Sequence, residues 1–188
     1  MIYQYMLEDP SFEGLLSSKT ISISSNFSEF NKAKEKIQKL LKEVFILKSN
    51  VNIVWKSGLK GNGFLETEFL DTKIAIPAEF GGSGNGASPK EILVASAAAC
   101  YTSVLVSMIE SRYLPVVDLT VNSEGINSDD EFKIIHYPHI VLSGKATEKQ
   151  IQAANRILSL ADKGCTVGNL LKKAGIKIEI QGNISSTN

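Results

Sequence analysis

SPKEILVASAAACYTSVLV, residues 88–106, decides the fold. Ser88 is placed to cap a helix, Pro89 to fill its first position and Glu91 to close a capping box back onto Ser88. From Ile92 to Ile109 almost every position is apolar or small. The pattern predicts a helix from Pro89 to about Arg112, roughly 36 Å long at 1.5 Å per residue. A helix with no polar face is buried all round, so it is expected at the centre of the molecule. Five small residues, Ala95 to Ala99, lead to Cys100. Alanines there let a second element approach closely and hold a thiol in apolar surroundings.

Upstream, "VNIVW" (51–55) reads as a strand. "GLKGNG" (58–63) is a glycine turn, "FLETEFL" and "KIAIP" are two further strands, and "AEFGGSGNGAS" is a loop with glycines at 81, 82, 84 and 86. Downstream, Val117, Leu119 and Val121 alternate as a half-buried strand, and "DEFKIIHYPHIVLSG" is a long strand expected to bend near Pro138. "ATEKQIQAANRILSLADKG" is a helix with a Thr147–Gln150 capping box and Gly164 as its stop. "CTVGNLLKKAG" is a short helix closed by Gly175, and "IKIEIQG" is a last strand. Near the start, Ile21 and Ile23 suggest a short strand. Phe30, Ala33, Ile37, Leu40, Leu41 and Val44 form the apolar stripe of a helix capped by Asn26 or Ser28. That stripe is expected to dock on the rest of the chain. Helices and strands mix without strict alternation, which predicts an α+β fold with mainly antiparallel sheets.

Twenty basic and 20 acidic residues balance, and 43% of the 188 residues are hydrophobic. There is a real core and no basic stripe for nucleic acid. The opening residues lack the pattern of a signal peptide, and no run reads as the about 18–20 apolar residues of a membrane span. Two cysteines 65 positions apart do not form a secreted disulfide framework. A cytoplasmic protein is expected.

Cys100 and Cys165 are the only cysteines. On spacing alone Cys100 reads as core, since a free cysteine packs like a small hydrophobe. Cys165 follows a helix stop and opens a helix, where thiols are acidified, so local structure makes it the better thiolate. His136 and His139 suggest a zinc site with the cysteines, but residues three apart on a strand face opposite ways and no Cys-x-x-Cys spacing exists. "GLKGNG" has neither the ending nor the following helix of a phosphate loop.

The order of "VWKSGLKGNG", "SPKEILVASAAAC" and "ADKGCTVGNLL" resembles the OsmC/Ohr superfamily, the osmotically induced and organic-hydroperoxide-resistance proteins. The likeness covers roughly residues 50–182. It divides the chain into an N-terminal extension, 1–48, and an OsmC-like domain, 49–188. The resemblance implies an α+β fold of two intertwined subunits, with the long helices buried at the centre of a homodimer. It implies thiol-dependent reduction of organic hydroperoxides: Cys100 attacks the peroxide and becomes a sulfenic acid, Cys165 condenses with it, and an external dithiol resets the pair. No cofactor or metal is implied, and neither nucleic acid nor membrane is an expected partner.

Typical peroxidases of the superfamily pair an arginine in the turn after the first strand with a glutamate just after the helix-start proline. Here Lys60 is the nearest match to the arginine, Lys90 follows Pro89, and Glu91 comes one residue later. The chain is therefore more similar to a less characterised OsmC-like branch. Lys60 and Glu91 join Cys100 and Cys165 as candidate site residues. The alternative function is binding of an apolar small molecule in a pocket beside Cys100, without peroxidase chemistry.

Overall fold

The structure is a computed structural model that describes residues 48–128 and 131–187. The strand and helix expected before residue 48 lie outside the described residues, as does the expected docking of that helix.

Three short strands, β1 (Asn52–Lys56), β2 (Asn62–Glu66) and β3 (Asp71–Ala75), form an antiparallel meander. The glycine turn between β1 and β2 works as expected: Ser57 and Gly58 both take positive φ, and the Trp55 indole donates to the Gly58 carbonyl at 2.9 Å. "FLETEFL" is not one strand. Thr67 closes a turn by accepting from the backbone of Leu70 at 2.9 Å, and β3 starts after it. A short 3-10 turn, Ala78–Phe80, leads through Gly81 in the left-handed region to α1. The meander joins the rest of the chain chiefly where Ile74 pairs with Ala87, just before α1.

The second sheet is built on β5 (Phe132–Leu142). β4 (Val116–Asn127) lies antiparallel along one edge. Along the other, β6 (Lys177–Ile180) pairs with Lys133–His136 and β7 (Asn183–Ser186) with His139–Leu142, both parallel to β5. This sheet is therefore mixed rather than antiparallel. Pro138, which has no N–H to offer, sits opposite the break between β6 and β7, and β5 runs through it as one strand. A register shift between Val116 and Asp118 turns the start of β4. As a result Val116, Leu119 and Val121 pack on the core, while Val117 is 61% exposed.

The helices are α1 (Pro89–Ser111), α2 (Glu148–Gly164) and α3 (Thr166–Lys173). Both predicted capping boxes form. α2 lies on α1 and on β5, β6 and β7, and α3 packs against α1. The core gathers Tyr101, Leu105 and Ile109 of α1, Ile140 and Leu142 of β5, and Ile157 of α2. Contrary to expectation, α1 is not buried on all sides. One stripe, Ala97–Tyr101–Leu105–Ile109, is sealed, and Val106 one position away is exposed. α1 also has the length and composition of a membrane span, with a mean hydropathy of 2.0, which corrects the reading of the sequence. Its sealed stripe packs on α2, β4 and α3.

Candidate functional site

Cys100 lies on α1 three residues beyond Ala97 and one before Tyr101, so it borders the sealed stripe and is only partly exposed. Cys165 is both the C-cap of α2 and the N-cap of α3. Gly164 is what lets this corner reach α1. A Cβ there would sit 3.0 Å from Val104 Cγ1, so a side chain would push the helices apart. Gly164 is thus the last residue of α2 and a close-approach glycine, not a left-handed stop. Gly175, at φ +90, plays the stop role for α3.

The corner brings Cys165 against α1. Its sulfur is 4.0 Å from the Ala97 carbonyl oxygen, and the Cys100 thiol lies near enough to act on it. Both thiols are free. Cys165 is 2% exposed. The Gly168 N–H donates to its sulfur at 3.2 Å, the contact expected of a thiol at a helix start. The acidification expected from it does not follow. Burial pushes the Cys165 thiol up to about 11, outweighing the single N–H, and the neighbouring Cys100 and the Asp162 carboxylate push the same way.

A polar cluster unrecognised in the sequence surrounds this corner. His136 is 1% exposed, stacks on the Tyr101 ring at 5.1 Å and shares a 2.7 Å hydrogen bond between Nδ1 and Ser123 Oγ. Burial holds the imidazole below its ordinary value, against the opposing pull of Asp162. The Tyr101 hydroxyl donates to the Leu158 carbonyl at 3.1 Å, and burial raises its titration. Asp162 receives Lys172 Nζ on both carboxylate oxygens at 2.6 Å. His139 is separate, bonded through Nε2 to Ser185 Oγ at 2.8 Å. The two histidines thus have different partners and do not converge.

Glu91 accepts from the Ser88 backbone N–H at 2.6 Å, and this hydrogen bond holds its carboxyl below the ordinary value. Lys90 donates to Asn127 Oδ1 at 2.6 Å and lies 5.3 Å from the Phe132 ring centre. Lys60 is exposed on the β1–β2 turn and is not among the charges acting on Cys165. The structure thus brings Cys100 and Cys165 together, and leaves Glu91 in the cap of α1 and Lys60 on the meander. Two clefts, of about 320 Å³ beside Ile109 and Tyr113 and about 300 Å³ beside Glu131 and Lys177, have no cysteine in their lining.

A family model described as OsmC-like protein matches residues 82–181. The uncharacterised protein YmaD of Bacillus subtilis is 30% identical over 145 residues, covering 74% of this chain and 93% of its own length. The fold is similar to that of an OsmC-like protein of unknown function from Vibrio cholerae, with a TM-score of 0.60 at 18% identity over 73% of this chain and 99% of that one. It is also similar to an organic hydroperoxide resistance protein OsmC from Legionella pneumophila, with a TM-score of 0.53 at 18% identity over 74% and 98%. A match across the central helix, both cysteines and most of the second sheet makes this chain a member of the OsmC-like protein family.

Proposed function

We propose that this protein is a thiol-dependent peroxidase for organic hydroperoxides. The observation that carries the reading is the nearness of two free thiols from distant parts of the chain, one partly accessible and one sealed. The accessible thiol, Cys100, attacks first. Its thiolate takes the terminal oxygen of R–O–OH, the O–O bond breaks, and the alkoxide leaves and gains a proton as the alcohol. Cys100 is then a sulfenic acid. Cys165 attacks that sulfur, and its proton leaves with the hydroxide as water, producing a Cys100–Cys165 disulfide. An external dithiol reduces it, attacking the more accessible Cys100 sulfur and leaving as its own disulfide. The apolar and small side chains along α1 favour an organic peroxide over hydrogen peroxide. Lys60 and Glu91 enter this reading through the family resemblance, Lys60 as the cation that assists the first step.

The reading includes a homodimer. Ile53, Val54, Trp55, Leu59 and Phe64 of the meander and Val106 of α1 are exposed in the single chain. A second copy, presenting the same surface in return, is the occupant that covers them. The cytoplasm is the proposed location, since its reducing pools keep such a pair ready. One observation favours the alternative of ligand binding without peroxidase chemistry: among the described residues, no lysine or arginine is among the groups acting on Cys165. Peroxide consumption separates the two. The wild type should consume an organic hydroperoxide faster than hydrogen peroxide, and Cys100→Ser should consume neither. Wild-type protein that consumes no peroxide while retaining an apolar ligand would support the alternative.

A further inference from the structure

α3 runs only from Thr166 to Lys173, and its first turn holds Gly168, the poorest helix former after proline. A glycine inside a helix is explained by its backbone angles or by the space beside it. Gly168 is not in the left-handed region, so its backbone is one that any residue adopts. Space is the reason. Gly168 is buried, and a Cβ on it would lie 3.2 Å from Cys165 Sγ, 3.4 Å from Ile178 Cδ1 and 3.5 Å from Cys165 Cβ. Comfortable contact between carbon atoms begins near ~3.5 Å, and sulfur is larger than carbon. The Cys165 sulfur therefore occupies part of the room that a methyl group at 168 would need.

The same residue also binds that sulfur. The Gly168 N–H falls in the first turn of α3, where the helix offers it no partner, and it donates to Cys165 Sγ at 3.2 Å. The next N–H, that of Asn169, goes to the Cys165 carbonyl at 2.9 Å, and Asn169 Nδ2 reaches back to the Lys163 carbonyl at 2.8 Å. The corner carrying the sulfur is thus tied on both sides of the break between α2 and α3. On α1, the Ala97 carbonyl oxygen lies 4.0 Å from the sulfur. Ala97 and Cys100 are three residues apart on that helix and share a face. A sulfur held at Ala97 is held on the face that carries Cys100, which packs on the same core cluster as Cys165.

We propose that Gly168 is a positioning residue for the Cys165 thiol: its N–H fixes the sulfur, and its bare Cα leaves room for that sulfur to rest against α1 beside Cys100. The proposal rests on the peroxidase reading for its part in turnover, and on the geometry alone for the seat. The bond does not acidify the thiol; it places it. In turnover Cys165 has to reach the Cys100 sulfenic acid. A sulfur already seated on the Cys100 face has little conformational freedom left to lose, which speeds that second step. The first attack takes place at Cys100 and does not use the seat. A purely structural glycine predicts otherwise, since exchange of Gly for Ala within a helix strengthens the helix.

Gly168→Ala is the direct test. One equivalent of cumene hydroperoxide is added to the reduced full chain, and the Cys100 sulfenic acid is followed with a dimedone trap. It should form at the parent rate and persist about tenfold longer. Adding Ile178→Val, which removes the other side-chain atom crowding the new methyl, should recover part of the loss. In a glutathione redox buffer without peroxide, the Cys100–Cys165 disulfide should be about tenfold less favoured in Gly168→Ala than in the parent. Amide hydrogen exchange keeps the test decisive if Gly168→Ala does not fold. In Cys165→Ala the Gly168 N–H should exchange about tenfold faster, while the Asn169 N–H, bonded to the backbone carbonyl of residue 165, keeps its protection. A sulfenic acid that resolves at the parent rate or faster in Gly168→Ala, or a Gly168 N–H indifferent to Cys165→Ala, would overturn the proposal. A chain that consumes no peroxide, yet shifts its disulfide equilibrium as stated, would uphold the seat and remove the peroxidase reading. A chain that turns over peroxide, with a disulfide equilibrium unmoved by Gly168→Ala, would do the reverse.

Discussion

At the scale of single residues, what decides is burial. Cys165 has the local signature of an acidic thiol, a helix start with an N–H on its sulfur, yet its burial pushes it up to about 11. His136 is pushed down for the same reason. Both shifts favour the neutral form in the folded state, so both give stability a pH window. The share from His136 is complete above its free value of 6.5 and is lost as pH falls toward its depressed folded value. The share from Cys165 is complete below 9.0 and is lost as pH rises toward about 11. Thermal melts should therefore show a plateau between those limits with a fall on each side, and His136→Asn should flatten the acid side. A melting temperature that rises on acidification from pH 6.5 would contradict this. Sequence alone located both cysteines and put the two histidines on opposite faces of a strand, since Cys and strand alternation are visible in a string, without showing which histidine is buried. It could not show that Asp162, Lys172 and Tyr101 close on the same corner, because that requires the turn between α2 and α3 to be folded first.

At the scale of elements, legibility followed the strength of the local signal. The caps at Ser88 and Thr147 and the stop at Gly175 were readable because each is set by side-chain or backbone chemistry within a few residues. β7 has no signal of its own, because "NISS" carries one apolar side chain and is a strand only by pairing with Ile140 and its neighbours. The parallel course of β6 is likewise fixed by the packing of α2 and α3, not by its own alternation. Val117 falls on the opposite face from the one its alternation predicts, because the register shift beside it has no local signal. Two substitutions test the element-scale account. Ser88→Ala removes the acceptor for the Glu91 N–H and should cost about 1 kcal/mol in chemical unfolding. Gly164→Ala places a methyl 3.0 Å from Val104 Cγ1 and should cost about 1–3 kcal/mol. Pairing it with Val104→Ala should recover part of that loss, and no recovery would show that the contact is not the cause.

At the scale of the molecule, the fold class was legible from the mixture of patterns around one long apolar helix, and the family from the order of three motifs. The surroundings of that helix were not, because a single chain seals only one stripe of it. The exposed side of α1 and the apolar strands of the meander predict a stable dimer, with an interface on the order of 2,000 Å² or more. Sedimentation equilibrium should give twice the chain mass at micromolar concentration. Val106→Asp, which puts a charge on the exposed side of α1, should shift the population to monomer or aggregate. A wild-type chain that sediments as a folded monomer would contradict the assembly.

The central claim is that Cys100 and Cys165 form one redox couple within a chain. One equivalent of cumene hydroperoxide added to the fully reduced wild type tests it most directly, by thiol count and peptide mass. The expected result is the loss of both thiols and a peptide pair joining Cys100 to Cys165 of the same chain, with a mass lower by two hydrogens. Both thiols surviving, or a disulfide joining Cys100 to the Cys100 of a second chain, would contradict it.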